Sequence, residues 1–450
     1  MTSDIPAGAG SSGSSGSPGS PGSPALSDLE RRILDQVDEH ALVESLVELV
    51  RIPSVGGSDA EVEVQEVAAE SLGRLGLDVD RWDIDVDALA ADPWFPGVEV
   101  DRSRAVGVVA TTPSGRPGAD RMPALVLQGH LDVVPPGDPE DWRGVEPFSA
   151  EIRGGALYGR GAVDMKAGVA ANLAVARTLA RAGVRLERPL AVHCVIGEED
   201  GGLGAFATLR RGHLGEAAVI TEPTSSRIVT ATAGALTFRI DVAGRSAHGS
   251  LRRRGVSAFE AFLPIHAALM AFEAERNRDP EPGFVAEPPY ALSFGLVRAG
   301  EWSSNVPDRL VAEGRFGVQL GEDPRLARAR FEDVVAQVAV EDPWLRDNRP
   351  VVTWPGGQFA SGSIDDDHPL VAETARAVAA TGAPVPPLAR GVYGSDLRLY
   401  TGIGGIPTLH YGPGDMTDAH SPLEKVDLDQ LVQVTRALVV LAVRRCGVTP

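Results

Sequence analysis

Three apolar runs in this chain end abruptly in acids or a histidine, and that narrows the folds open to it. Pro123 to Leu127 leads into Gly129-His130-Leu131-Asp132, Leu190 to Ile196 into Gly197-Glu198-Glu199-Asp200, and Ala217 to Ile220 into Thr221-Glu222-Pro223-Thr224. Short continuous apolar runs read as buried strands. In an α/β sheet, ligands bind beyond the carboxyl ends of the strands, so polar residues placed there are candidates for chemistry. Each stretch also has a plainer reading, as an Asp-capped turn or an exposed acidic turn. Crowded carboxylates, however, raise one another's pKa and cost stability unless solvent or a cation compensates them.

The chain is long enough for two or three cores at about 150 residues per domain. Its 43% hydrophobic and 23% charged residues are those of a globular protein. The formal charge of −20 argues against a nucleic-acid partner, since there is no basic surplus to neutralise phosphates. Arg252, Arg253 and Arg254 form the one notable basic cluster and read as a solvated loop. Cys194 and Cys446 support neither a disulfide framework nor a thiolate metal site, which fits a reducing cytoplasm. No run reaches the length of a membrane span, and the first residues lack the basic start and apolar core of a signal peptide, so an unexported protein away from the membrane is expected.

Residues 1–25, almost wholly Gly, Ser, Pro and Ala, read as a disordered tail. Ser27 and Glu30 form a capping-box pattern, and apolar residues from Leu29 to Val50 then recur at helical spacing until Pro53. A helix over Asp59 to Leu75 and strands over Leu77 to Ile84 and Val106 to Thr111 follow. Asp83, Asp85 and Asp87 do not make a calcium loop, because Ala88 and Trp94 stand where Gly and Glu are needed. Asp164, in Gly159-Arg160-Gly161-Ala162-Val163-Asp164-Met165-Lys166, precedes an Ala-rich helix, where an N-cap is the plain reading. The first segment of the main, catalytic domain is expected over 26–232. Over 233–355 the order strand, helix, strand, strand, helix, strand predicts a separate ferredoxin-like domain inserted into it. His248, in Ser246-Ala247-His248-Gly249, and Asn305 fall in its turns. Over 356–450 the α/β character returns as the main domain resumes, with Ser395-Asp396 and Arg398, a strand over Pro407 to Tyr411, and His420 in Ala419-His420-Ser421-Pro422-Leu423-Glu424 before a closing helix.

His130, Asp164, Glu199, Glu222 and His420 together offer two imidazoles and three carboxylates. A nitrogen and oxygen set without thiolate suits zinc above all, or cobalt or manganese, and five donors with one bridging carboxylate suit two ions. Three carboxylates and a bridging hydroxide would neutralise two divalent cations. Such a pair lowers the pKa of a shared water and polarises a carbonyl. Glu198 is the natural general base, and Asp132 is placed to accept a hydrogen bond from the His130 nitrogen not on metal.

The stretches GHLDVVP, GRGAVDMKAG, GEEDGG, TEPT, RSAHG and AHSPLE resemble the M20 metallopeptidase family, which includes acetylornithine deacetylase, succinyl-diaminopimelate desuccinylase, aminoacylase and glutamate carboxypeptidase. The resemblance covers nearly everything after the tail. It implies a zinc-peptidase-like domain with a mixed sheet flanked by helices, and a lid through which two copies pair. It places His130, Asp164 and Glu222 on one ion, Asp164, Glu199 and His420 on the other, Glu198 as base and Asp132 behind His130. His248 matches the lid histidine that reaches a partner's site, Arg315 the lid arginine that holds a substrate carboxylate. Asn305, Ser395 and Arg398 fall where substrate contacts are expected. Two features depart from the pattern. The chain continues from His248 as Gly249-Ser250-Leu251-Arg252-Arg253-Arg254, which works against close lid pairing, and Gly394 stands where desuccinylases commonly have Thr. The expected activity is removal of an acyl group from an N-acyl amino acid or related amine. A dipeptidase or carboxypeptidase, and a non-catalytic metal-dependent protein that captures small carboxylated ligands, are the alternatives.

Overall fold

The computed structural model describes residues 25–113 and 122–449, so residues 1–24 of the expected tail lie outside the described residues. Leu125–His130 and Leu190–Val195 are buried along their whole lengths, as strands at the middle of a sheet covered on both faces must be. Across the main sheet the order is Asp78–Asp83, Val106–Thr111, Leu190–Val195, Leu125–His130, Ala218–Ile220, Thr408–His410, Ile228–Thr232 and Gly362–Ser363, with Leu388–Gly391 also paired to Ile228–Thr232. The four strands from Leu190–Val195 to Thr408–His410 are mutually parallel. Their carboxyl ends therefore share one edge. His130, the Glu198–Asp200 turn and Glu222 leave three of them side by side.

The Ala-rich helix Ala167–Arg181 and the closing helix Leu428–Cys446 bury their apolar sides in the large core beside this sheet. Gly168 is required where the first helix starts: a Cβ there would lie 2.1 Å from the Thr221 carbonyl oxygen. That close approach brings the segment after Asp164 against the strand end that carries Glu222. The capping box at Ser27 and Glu30 forms, but the helical stretch behind it is two helices, Asp28–Leu34 and Glu39–Arg51. The break falls where the Asp38 side chain accepts from Ala41 N and starts the second helix. Asp85 likewise caps the short helix Val86–Ala90 through Ala88 N.

A second sheet runs Leu292–Ala299, Arg309–Val318, Gly234–Ala243, Val351–Thr353, antiparallel throughout. With helices Ala258–Arg276 and Pro324–Glu341 it traces strand, helix, strand, strand, helix, strand. Leu236, Phe238, Ile240 and Val242 alternate inward, and with Phe316 and Phe331 they form a core distinct from the large one. The three arginines after His248 lie in an exposed 3₁₀ turn, Gly249–Arg254, where Arg252 pairs with Glu260. Among the described residues, no helix is long and apolar enough to cross a membrane.

Candidate active site

Asp164 is the centre of the strand-end cluster. Its Oδ1 lies 3.2 Å from His130 Nε2 and its Oδ2 3.3 Å from His420 Nε2, so one carboxylate spans two imidazoles. The capping reading of Asp164 is overturned, because both its oxygens face histidines rather than the amides of the following helix. Glu222 Oε1 is 3.6 Å and Glu198 Oε2 4.0 Å from His130 Nε2, and Glu199 Oε2 is 3.0 Å from His420 Nε2. His130, Glu198 and Glu222 offer donor atoms within 4.8 Å of one another, as do His130, Asp164 and Glu199. His420 is held at φ +57°, a conformation non-glycine residues rarely adopt, and such strain concentrates at functional sites.

The electrostatics fit a cation pair. Burial pushes Glu198 well above the ordinary carboxylate range against the pull of His130, and Asp396, Glu222 and Glu199 push the same way. Glu222 and Glu199 rise as well, through burial first and then the charge of Asp164. Asp164, although buried, is held well below the ordinary range by its hydrogen bonds with the two histidines. The same contacts, with Glu199, raise His420 to about 11. His130 is lifted too: its burial is outweighed by Asp164 and the fields of Glu222, Asp132 and Glu198. Among the described residues, the two imidazoles are the only basic groups within ion-pair distance of these four carboxylates. Glu222 Oε2 and Asp132 Oδ1 are buried without a hydrogen-bond partner. Buried, unpaired oxygens beside imidazoles are a donor set that divalent metal would satisfy.

Asp132 sits behind His130, but it is its main-chain carbonyl that lies 3.0 Å from Nδ1; the carboxylate is at 3.6 Å and accepts instead from Glu199 N. Of the cluster, Glu198, Glu199 and His420 line a cavity of about 670 Å³ that Arg315 and Tyr393 also line. The Arg315 guanidinium donates to the Val392 carbonyl at 2.9 Å and has no carboxylate partner among the described residues. Four expected contacts do not line this cavity. Ser395 is buried, with its hydroxyl 3.2 Å from His410 Nε2. Arg398 is buried over the Phe359 ring and donates to the carbonyls of Ser395 and Gly201. Both are corrected from substrate contacts to internal supports, since their polar atoms are taken up within the chain. His248 and Asn305 pair with each other on the second sheet's side, and Asn305 opens onto a different cavity.

Sequence reasoning missed two supporting groups. Glu424 accepts from the amides of Val163 and Asp164 at 3.0 and 3.1 Å, while Arg160 donates to it at 2.5 Å and to the His420 carbonyl at 3.3 Å. This pair locks the Asp164 turn to the His420 segment. Arg102 grips both oxygens of Glu61 and both of Asp200 at 2.8 to 3.0 Å, which fixes the turn that carries Glu198 and Glu199. Arg160 and Glu424 stood inside the telling motifs; Arg102 and Glu61 had no local signal.

The family model for peptidase family M20/M25/M40 matches residues 126–444. The chain is 28% identical over 439 residues to N-formyl-4-amino-5-aminomethyl-2-methylpyrimidine deformylase of Bacillus subtilis, covering 92% of this chain and 96% of that protein. It is 32% identical to succinyl-diaminopimelate desuccinylase of Stenotrophomonas maltophilia, over 69% of this chain and 80% of that one. A di-peptidase from Saccharomyces cerevisiae shares the fold with a TM-score of 0.73 at 15% identity, covering 94% of this chain and 99% of the other. With the match spanning most of the chain and its α/β sheet beside a second, antiparallel sheet, this protein belongs to peptidase family M20/M25/M40, whose members are hydrolases acting on amide bonds.

Proposed function

We propose that this protein removes the acyl group from an N-acyl amino acid or related N-acyl amine. The observation that carries the reading is the Asp164 carboxylate spanning His130 and His420, with His420 and buried Glu198 lining one cavity with the carboxylate-free Arg315. The two relatives, named as a deformylase and a desuccinylase, favour acyl removal over peptide cleavage. His130, Asp164 and Glu222 would hold one divalent ion and Asp164, Glu199 and His420 a second, with zinc, cobalt or manganese suited to such donors. Bound there, the ions would acidify a water and polarise the acyl carbonyl.

The chain's own groups do the rest. Glu198 takes a proton from the attacking water at its carboxylate and returns it to the departing amine nitrogen. Asp132 orients His130, through the carbonyl contact to Nδ1. Arg315 presents a planar guanidinium to the substrate carboxylate. His248 and Asn305 line no part of the cavity in their own chain, which favours action across a pair of copies joined through the second sheet, residues 233–355 serving as the lid domain between the two segments of the catalytic domain.

Metal content of the purified protein, with hydrolysis of N-formyl, N-acetyl and N-succinyl amino acids and of dipeptides before and after chelation, tests this reading. Chelator-sensitive cleavage of the acylated substrates is expected, and E198A should keep its metal while losing at least ~100-fold in rate. A preference for dipeptides would sink the deacylase reading; unchanged hydrolysis by E198A would remove the mechanism.

A further inference from the structure

The cavity holds one more group placed for chemistry. Tyr393 lines it together with Glu198, Glu199, His420 and Arg315. Its ring is held flat against His410, with centroids 6.1 Å apart and planes 15° from parallel. His410 is itself buried, and burial keeps its pKa down at about 3, so the surface under the tyrosine is a neutral imidazole. The space for the ring exists because residue 391 is glycine: a Cβ there would come within 2.9 Å of the Tyr393 ring carbons, including the one that bears the hydroxyl. The preceding residue is pinned as well, through the Arg315 bond to the Val392 carbonyl. Stack, glycine and pin hold the ring, yet nothing among the described residues accepts a hydrogen bond from its hydroxyl.

In the hydrolysis proposed above the carbonyl oxygen gains negative charge when water adds to the acyl carbon, and a fixed donor would stabilise it beside the polarisation that bound ions would supply. Fixed donors aimed at such an oxygen carry much of the rate in acyl transfer. Thr237 lines the cavity but its hydroxyl is bonded to Glu99, Ser293 lines it from the second sheet opposite Arg315, Arg315 is assigned to the substrate carboxylate, and His248 does not reach the cavity. Of the two hydroxyls left, that of Tyr393 is the one the main body carries.

We propose that Tyr393 is a further catalytic residue, whose phenol hydroxyl donates a hydrogen bond to the oxygen of the scissile carbonyl as that oxygen becomes anionic. The proton stays on the phenol throughout. Burial, and then the charges of Glu222, Asp164 and Glu198, hold its ionisation well above the ordinary value, so it is a donor and never a base at neutral pH. Each chain thus carries its own donor. The inference rests on amide hydrolysis at this cavity.

Tyr393→Phe removes one oxygen and keeps the ring on His410. The expected result on the best-cleaved substrate of the panel is a fall in kcat of about 100-fold with KM within about threefold, the loss typical of one oxyanion donor. Metal content and unfolding temperature should be unchanged. A phosphonamidate analogue of that substrate, tetrahedral at phosphorus, should bind more weakly by the same factor as kcat/KM, while the free amine product binds as before. A wall that merely packs against substrate would move KM and leave kcat alone. If the wild type is active and Y393F keeps its kcat within about threefold, the tyrosine proposal fails while the hydrolase reading stands. If the wild type cleaves neither acylated amino acids nor dipeptides with metal supplied, both fall.

Discussion

Arg102→Met tests whether the acidic turn is held from behind. The Arg102 side chain is 1% exposed and its partners Glu61 and Asp200 are 0% and 9% exposed, so the variant strands two carboxylates in the interior. Removing one partner of a buried ion pair costs about 3–5 kcal/mol. Set against a total stability of roughly 5–15 kcal/mol for a domain, that brings the large core close to unfolding. The loss has a pH signature. Burial, opposed by Arg102 and reinforced by Asp132, raises Glu61 from 4.5 to about 7 in the folded protein. Between those values the unfolded chain ionises while the folded one keeps its proton, so stability falls as pH rises through that window. Without the guanidinium Glu61 climbs further. The penalty of R102M should therefore be larger at about pH 8, where the folded state must carry or refuse the charge, than at about pH 5, where Glu61 is protonated in the native state. Urea unfolding followed by circular dichroism at both pH values reads this directly, with R102K as the variant that keeps charge but loses the bidentate fork. A penalty under about 1 kcal/mol at the higher pH, or one independent of pH, would refute the buried-pair reasoning.

Metal loading should release protons. With His420 at about 11 and His130 well above its ordinary value, both imidazoles are charged in the metal-free protein at neutral pH, and a ligand nitrogen must be neutral. Roughly two protons or more per chain should leave on loading, and affinity should rise with pH; calorimetry in buffers of different ionisation enthalpy counts them. Glu424→Gln takes the charge from the group that holds the Val163 and Asp164 amides and leaves Arg160 buried without its acid. Metal affinity should drop about 10- to 100-fold in a competition titration, and an unchanged affinity would mean that the Asp164 turn needs no such brace.

The strand-end cluster was legible because each of its acids and histidines stands where an apolar run stops or inside a telling motif. A strand end is visible in sequence, and His130, Glu199 and Glu222 follow three strands that turn out to be parallel neighbours. Asp164 and His420 were readable only through their motifs, since neither follows a strand directly. What lay beyond reach depends on which way a side chain turns. Ser395 and Arg398 sit two and five residues after Tyr393 in one stretch, yet the serine and the arginine face inward and only the tyrosine faces the cavity. Arg102, Glu61 and Asp200 come from three distant segments, so no period or spacing announces a buried triad. The strand Ile228–Thr232 escaped notice because its two threonines look like solvent-facing residues, whereas both are buried in the sheet.

The second sheet departs from and returns to the main body at a single seam. Ala235 pairs with Phe359 and Leu236 with Gln358, so the first residues of the strand Gly234–Ala243 are hydrogen-bonded to the last residues before the chain rejoins the main sheet. Glu99 closes the same seam from the main body, accepting from the Thr237 hydroxyl at 3.0 Å and from Gly357 N at 2.9 Å. An excision that joins the chain across this ladder would shorten the protein without re-threading any strand of the larger core. The chain path is modular in that sense, and a different cover grafted at this seam would also have to meet Arg390 of the main sheet, which here bonds to Gly283 and Val285.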